Sequence, residues 1–331
     1  MKLRIALLLA LTASTAWALT EENSNQQFDA TSGGKLVVDV DFGSIDVSAG
    51  PEGKVSIEAH RKIDSSDEAR EKEYFAATPL SITKDGNTVT VRARRNKESR
   101  NWNWSGNVNM DARYTIRVPK NFNTDLRTSG GSIAANGIAG EMKADTSGGK
   151  MKFGQLKGPL DARTSGGGIS LETCEGPLRV STSGGAIEAN SGSGSLEART
   201  SGGSIQVRGF SGDTEVKTSG GKLTLENVSG KITGRTSAGS ISATLVDPVA
   251  GDVDLQTSAG SIDIAVPPKA GLTVDAKANM GSIRTEIPML ATRSDDERLE
   301  GTLNGGGKAM LLKTSVGSIT IKPTGSATVA R

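Results

Sequence analysis

The sequence predicts an all-β protein: a parallel β-solenoid of the β-helix or β-roll kind, wound in 18-residue coils of two strands, capped at both ends, with one short helix in the N-terminal cap. Three observations predict it. The phrase Thr-Ser-(Gly/Ala)-Gly opens at Thr128, Thr146, Thr164, Thr182, Thr200, Thr218 and Thr236, at a constant interval of 18 residues. Between the phrases, apolar residues recur at every second position, which is the strand period. Glycines fall at matching places in each repeat, where tight corners need a missing Cβ or a positive φ. A fixed period of this size marks an array whose units bury their apolar sides against their neighbours.

Each repeat carries two alternating runs. The first holds pairs such as Met151/Phe153, Ile169/Leu171 and Ile205/Val207; the second holds Met142/Ala144, Leu160/Ala162 and Leu178/Val180. Paired glycines such as Gly184 and Gly185 close one corner, and a single glycine, from Gly140 to Gly230, closes the other. Two residues before that single glycine stand Ile138, Leu156, Cys174, Gly192, Phe210 and Val228, a column of mostly apolar plugs. Outward positions supply a register test. Asp125, Lys143, Asp161, Arg179 and Glu197 alternate in sign, and Arg127, Asp145, Arg163 and Arg199 alternate in the complementary sense, interrupted by Ser181. Stacked strands lie about 4.8 Å apart, so the alternation predicts attractive ladders between coils. At about 0.2–1 kcal/mol per exposed pair, these ladders mark register more than they stabilise.

Residues 1–18 read as a signal peptide: Lys2 and Arg4, an apolar run from Ile5 to Leu11, and cleavage after the Ala16-Trp17-Ala18 site. Residues 19–123 form an N-terminal β-rich cap. It holds a helix over about 65–77, introduced by Ser65-Ser66-Asp67-Glu68 as a capping box and stopped before Pro79. Residues 124–265 carry the regular coils, and 266–331 carry worn copies that finish the stack in chain order. Ser294 to Glu300 reads as a charged loop or short helix. The segment 247–251 stretches one interval by three residues, as a binding bulge or a neutral insertion.

Charge and ligand counts exclude several functions. Without Lys2 and Arg4, the 39 basic residues become 37 against 37 acidic ones, a balance that argues against nucleic-acid binding. No segment reaches the roughly 18 apolar residues of a membrane helix. With one histidine, His60, and one cysteine, Cys174, neither a zinc site nor a Ser-His-Asp arrangement finds its ligands. No acid recurs in the turns, so a calcium-binding β-roll is not expected, and no cofactor is implied. The Gly-rich phrases open strands, whereas phosphate-cradling loops open helices. Two features retain chemistry. Asp125, Arg127, Lys143, Asp145, Asp161 and Arg163 line one face, as a polysaccharide-cleaving β-helix would require. Trp102 and Trp104, with Asn101 and Asn103, form a polar loop able to stack on sugars or enter a partner's pocket, or to fold back as a lid.

Tyr114-Thr115-Ile116-Arg117-Val118-Pro119, the serial Thr-Ser-Gly-Gly-Ser-Ile phrases and the closing Gly301-Thr302-Leu303-Asn304-Gly305-Gly306-Gly307 together resemble domain-of-unknown-function family 4097. The resemblance implies a bacterial adhesin-like β-solenoid at the cell surface or in the periplasm, with no catalytic residues to transfer. The expected function is therefore an exported, non-enzymatic adhesin or envelope scaffold that binds a protein or glycan. A polysaccharide-active enzyme using the charged face is the second reading, and a periplasmic partner in envelope-stress signalling the third.

Overall fold

The computed structural model describes residues 20–65, 67–95 and 109–325. Equivalent residues of successive repeats stand side by side in two parallel ladders. In the first, Met142 to Thr146 pair residue for residue with Leu160 to Thr164. In the second, Met151 to Gly154 pair with Ile169 to Glu172. Three long strands, Ile169–Ser181, Ile187–Arg199 and Ile205–Lys217, run through the single-glycine corner and serve both ladders. The alternating apolar residues of both ladders point inward and form one continuous core.

Each corner has its own chemistry. At the single-glycine corner φ turns positive twice per coil: at Gly137, Gln155, Thr173, Ser191, Gly209 and Asn227, with φ between 51° and 74°, and again at the single glycine, from Gly140 to Gly230, with φ between 96° and 145°. The plug that follows the first of these is buried at Ile138, Leu156, Cys174, Phe210 and Val228. Gly192, the exception in that column, is explained by its neighbour. A Cβ there would lie 2.7 Å from the Phe210 ring, so one large plug occupies the space of two.

At the paired-glycine corner the repeated threonine is buried, and its hydroxyl donates to a glycine carbonyl of the preceding coil. Thr164 reaches Gly149 at 3.0 Å, Thr182 reaches Gly167 at 2.8 Å and Thr200 reaches Gly185 at 2.9 Å. The same hydroxyl accepts a long bond from the N–H three residues on, as at Gly185, 3.3 Å. A buried hydroxyl without partners is costly, so threonine and the second glycine act together to hold coil on coil.

At both ends the stacking order departs from the chain order that the sequence suggested. Lys35–Val40 lies between Thr88–Ala93 and Asn123–Thr128, all parallel. Near the C-terminus, Lys308–Val316 is inserted between Val253–Ala259 and Leu272–Met280. The threonine accounts for the C-terminal choice. Thr314 donates to the Gly260 carbonyl at 2.8 Å, completing the ladder, whereas the earlier copy has Ala278 at that position and takes the outer place. About twelve coils at about 4.8 Å give a stack roughly 55 Å long.

Antiparallel strands close the ends. Lys54–Asp64 and Thr20–Asp29 extend one ladder beyond Asn109–Val118, and Ser81–Asp85 covers Thr88–Ala93. Arg298–Leu303 and Leu290–Ser294 cover Leu272–Met280, which protects the parallel edge from further pairing. The charged segment read as a loop or short helix is thus the tip of a β-hairpin, where Asp295 accepts the Arg298 N–H at 2.8 Å.

The helix spans Glu68–Ala77, and its N-cap is Asp67, which accepts the Arg70 N–H at 3.1 Å. Ser65 instead donates its N–H to Glu71, 2.6 Å. Burial works to raise the Glu71 carboxyl, but bonds from Thr20 and Ser65 outweigh it and hold the group low. Arg61 is fully buried near the helix. It binds Glu22 at 2.7 Å and the Thr78 carbonyl and hydroxyl at 2.9 and 2.8 Å, and lies over the Phe75 ring. The 247–251 insertion protrudes beside the stack, with Val249 turned back against the core.

Candidate binding surface

The paired-glycine corner runs the length of the stack and presents two different surfaces. Strand alternation places each threonine inward and the serine after it outward, so Ser129, Ser147, Ser165 and Ser183 form an exposed hydroxyl column. In the N-terminal half this column borders a groove of about 500 Å³ that also carries Arg94, Arg127, Asp145 and Arg163. Its cations are locally matched. Arg127 bonds Asp125 at 3.0 Å, Arg163 bonds Asp161 at 2.6 Å, and Arg94 is held by Asp39 and Asp41. Burial pushes the Asp145 carboxyl up against the opposing pull of Arg163 and Arg127.

These contacts correct one expectation. The alternating columns stand in the predicted register, yet Arg127 and Arg163 make their closest pairs within their own strands, and Lys143 pairs with Glu141, just before its strand, at 2.9 Å. Long side chains reach two residues along a strand as readily as across to the next coil. Pairs between coils do occur, as Arg179 with Glu197 at 3.1 Å and Arg199 with Glu215 at 2.8 Å. The six residues considered for polysaccharide cleavage are gathered on one face, and four of them are tied in same-strand ion pairs.

In the C-terminal half the alternation gives way to columns of uniform sign. Pairing registers place Arg199, Lys217, Arg235, Gln256, Lys313, Lys277 and Arg298 in successive strands. Beside them run Glu197, Glu215, Thr233, Asp254, Leu311, Asp275 and Glu300. The arginines are bound to this acidic column: Arg199 to Glu197 and Glu215, Arg235 to Asp254 at 2.9 Å, and Arg298 to Asp275 and Glu300. Lys217, Lys313 and Lys277 make no ion pair among the described residues. On the other side of the lysines, at the corner itself, Ala238, Ala259, Val316 and Met280 are stacked in adjacent strands and exposed, Val316 by 47% and Met280 by 65%. Sequence order hid this arrangement, because only the inserted coil brings Lys313 beside Lys277 and Val316 beside Met280.

The remaining candidates separate cleanly. Trp102, Trp104, Asn101 and Asn103 lie outside the described residues, as do Ala16 and Ala18. His60 faces outward as its strand parity predicts; its Nδ1 lies 2.8 Å from Asn23, in a shallow recess of about 490 Å³ that includes Arg113. Cys174 is a buried plug, and burial pushes its thiol up, which keeps it protonated and unreactive. Burial likewise pushes the Tyr114 phenol up to about 12. No group of three or more metal-ligating side chains occurs among the described residues, and no described helix is long and apolar enough to cross a membrane. The buried threonines and Arg61 are the residues that composition concealed. Their inward parity, two residues from Leu126 and from Ala59, was the available signal.

Residues 34–322 match the family described as Toastrack DUF4097. No curated protein matches the chain. Among solved structures it is similar to a putative cell adhesion protein from Clostridium sporogenes, at 11% identity and a TM-score of 0.25, covering 92% of this chain and 100% of that one. It is also similar to a putative adhesin from Bacteroides fragilis, at 12% identity and a TM-score of 0.27, covering 91% and 97%. A putative adhesin from Parabacteroides distasonis aligns at 10% identity with a TM-score of 0.34, covering 92% and 97%.

Proposed function

Because the chain belongs to the Toastrack DUF4097 family, we propose that it is an adhesin-like binding or scaffold module of the bacterial envelope, acting through its elongated corner rather than through catalysis. The observation that carries this reading is the fate of the repeated residues. Threonine and the second glycine of each phrase are occupied in holding coil on coil, while the outward side chains change from coil to coil. Such a scaffold holds a long row of varied side chains at fixed spacing. Export through residues 1–18, and partner contact through Trp102 and Trp104, belong to the same proposal on sequence grounds.

Incubation of the purified protein with a panel of anionic polysaccharides, together with a pull-down from native envelopes, tests it. Retention of an envelope component without shortened chains or new unsaturated ends is the expected result. Cleavage of any polysaccharide in the panel would overturn the non-catalytic reading and restore a lyase-like role for Asp145 and its neighbours.

A further inference from the structure

We infer that the C-terminal half of the corner docks on an anionic phospholipid surface, with the lysine column meeting lipid phosphates and the Ala238, Ala259, Val316 and Met280 ridge entering the headgroup layer. The inference rests on the reading of the corner as a binding surface and names what that surface binds. Charge supplies the first argument. Lys313 and Lys277 are direct neighbours in paired strands, and Lys217 stands between Arg199 and Arg235. Like charges placed opposite one another are unfavourable, and the arginines' carboxylates are already engaged. The three lysines therefore have no ion-pair partner among the described residues and suit an external row of anions.

The ridge supplies the second argument. It runs parallel to the lysine column, three residues farther along each strand, with Ser237, Ser258, Ser315 and Asn279 between. Its apolar side chains grow from alanine through valine to methionine toward the outer coil; all four are exposed, and Met280 more than Val316. On its far side the column reads Asp263, Thr320 and Arg284, so the ridge has polar flanks on both sides. A soluble polyanion gives exposed valine and methionine no partner. A headgroup layer takes both, because its phosphates lie outside the acyl boundary that receives apolar side chains. The ridge is also a straight line one side chain wide rather than a pocket, which suits a planar surface better than a protein hot spot.

Co-sedimentation of the full chain with phosphatidylcholine vesicles, with and without phosphatidylglycerol, tests the inference at low and high salt. Binding is expected only with phosphatidylglycerol and should weaken as salt screens the lysines. The pair Lys277→Glu with Lys313→Glu should lower affinity at least about ten-fold, since each cation near an anionic surface strengthens binding about five-fold. Met280→Asp with Val316→Asp should weaken binding comparably. Lys152→Glu on the second ladder with Lys157→Glu at the single-glycine corner should leave it unchanged. All four altered corner positions are exposed, so unfolding temperatures should stay close to that of the unmodified chain.

No binding to phosphatidylglycerol vesicles, or equal loss from Lys152→Glu with Lys157→Glu, would overturn the inference. So would binding indifferent to Met280→Asp and Val316→Asp with equal retention on alginate, which would assign the lysines to a soluble polyanion. If vesicle binding fails while the native-envelope pull-down still retains a partner, the binding-module reading stands and only the lipid assignment falls.

Discussion

Gly185→Ala is expected to destabilise the protein by about 3 kcal/mol or more, while Gly184→Ala, one residue earlier, is expected to be tolerated or slightly stabilising. A Cβ on Gly185 would lie 2.0 Å from the Gly167 carbonyl oxygen and 2.4 Å from its carbon. That oxygen belongs to the backbone of the stacked coil and also accepts the Thr182 hydroxyl, so it has nowhere to retreat. At Gly184 the nearest atoms are 3.7 Å away, an ordinary contact. The chain contains its own control. The first glycine of the phrase is replaced by Ala238, Ala259 and Val316, whereas Gly239, Gly260 and Gly317 keep the second. Urea unfolding of both variants measures the difference, and equal stabilities would show that coils are not packed at this corner as described.

Removal of one whole coil, residues 182–199, should leave a cooperatively folding protein, whereas removal of half a coil, residues 191–199, should abolish cooperative unfolding. The whole-coil deletion joins Ser181 to Thr200, which stands where Thr182 stood, and every ladder closes again with one interface fewer. Stability in such arrays is approximately a sum over units and their interfaces, so the cost is a few kcal/mol, roughly 5–10 °C in melting temperature. The half-coil deletion leaves one corner without its return strand. Downstream threonines then meet the wrong ladder, and the aliphatic columns of the two halves no longer join. Thermal unfolding followed by circular dichroism separates the two outcomes.

Period and parity made most of this architecture legible. A constant interval and an alternation of two suffice to place Met142 over Leu160 and Phe153 over Leu171, because parallel stacking lets each residue meet only its equivalents. The plug column, including the buried Cys174, followed from the same reasoning. Coil order at the ends was not legible, since a worn copy matches its neighbours equally well from either side. The difference between Thr314 and Ala278 was the clue, and its meaning depends on a hydrogen bond that spacing does not reveal. Arg61 shows a similar limit. Its parity with Ala59 and Ile63 pointed inward, but only the fold supplies Glu22 and Thr78 as partners for its two terminal nitrogens. The lysine column became visible only once the inserted coil was in place.

Distances between spin labels along the exposed serine column test the stacked-coil account most directly. With one label at Ser129 and the second moved from Ser201 to Ser219 to Ser237, separations of about 19, 24 and 29 Å are predicted, one strand spacing per repeat. The buried Cys174 thiol should stay unlabelled in the folded protein. Separations that fail to grow by about 4.8 Å per repeat, or that step in alternating short and long increments as antiparallel hairpins would, contradict the account.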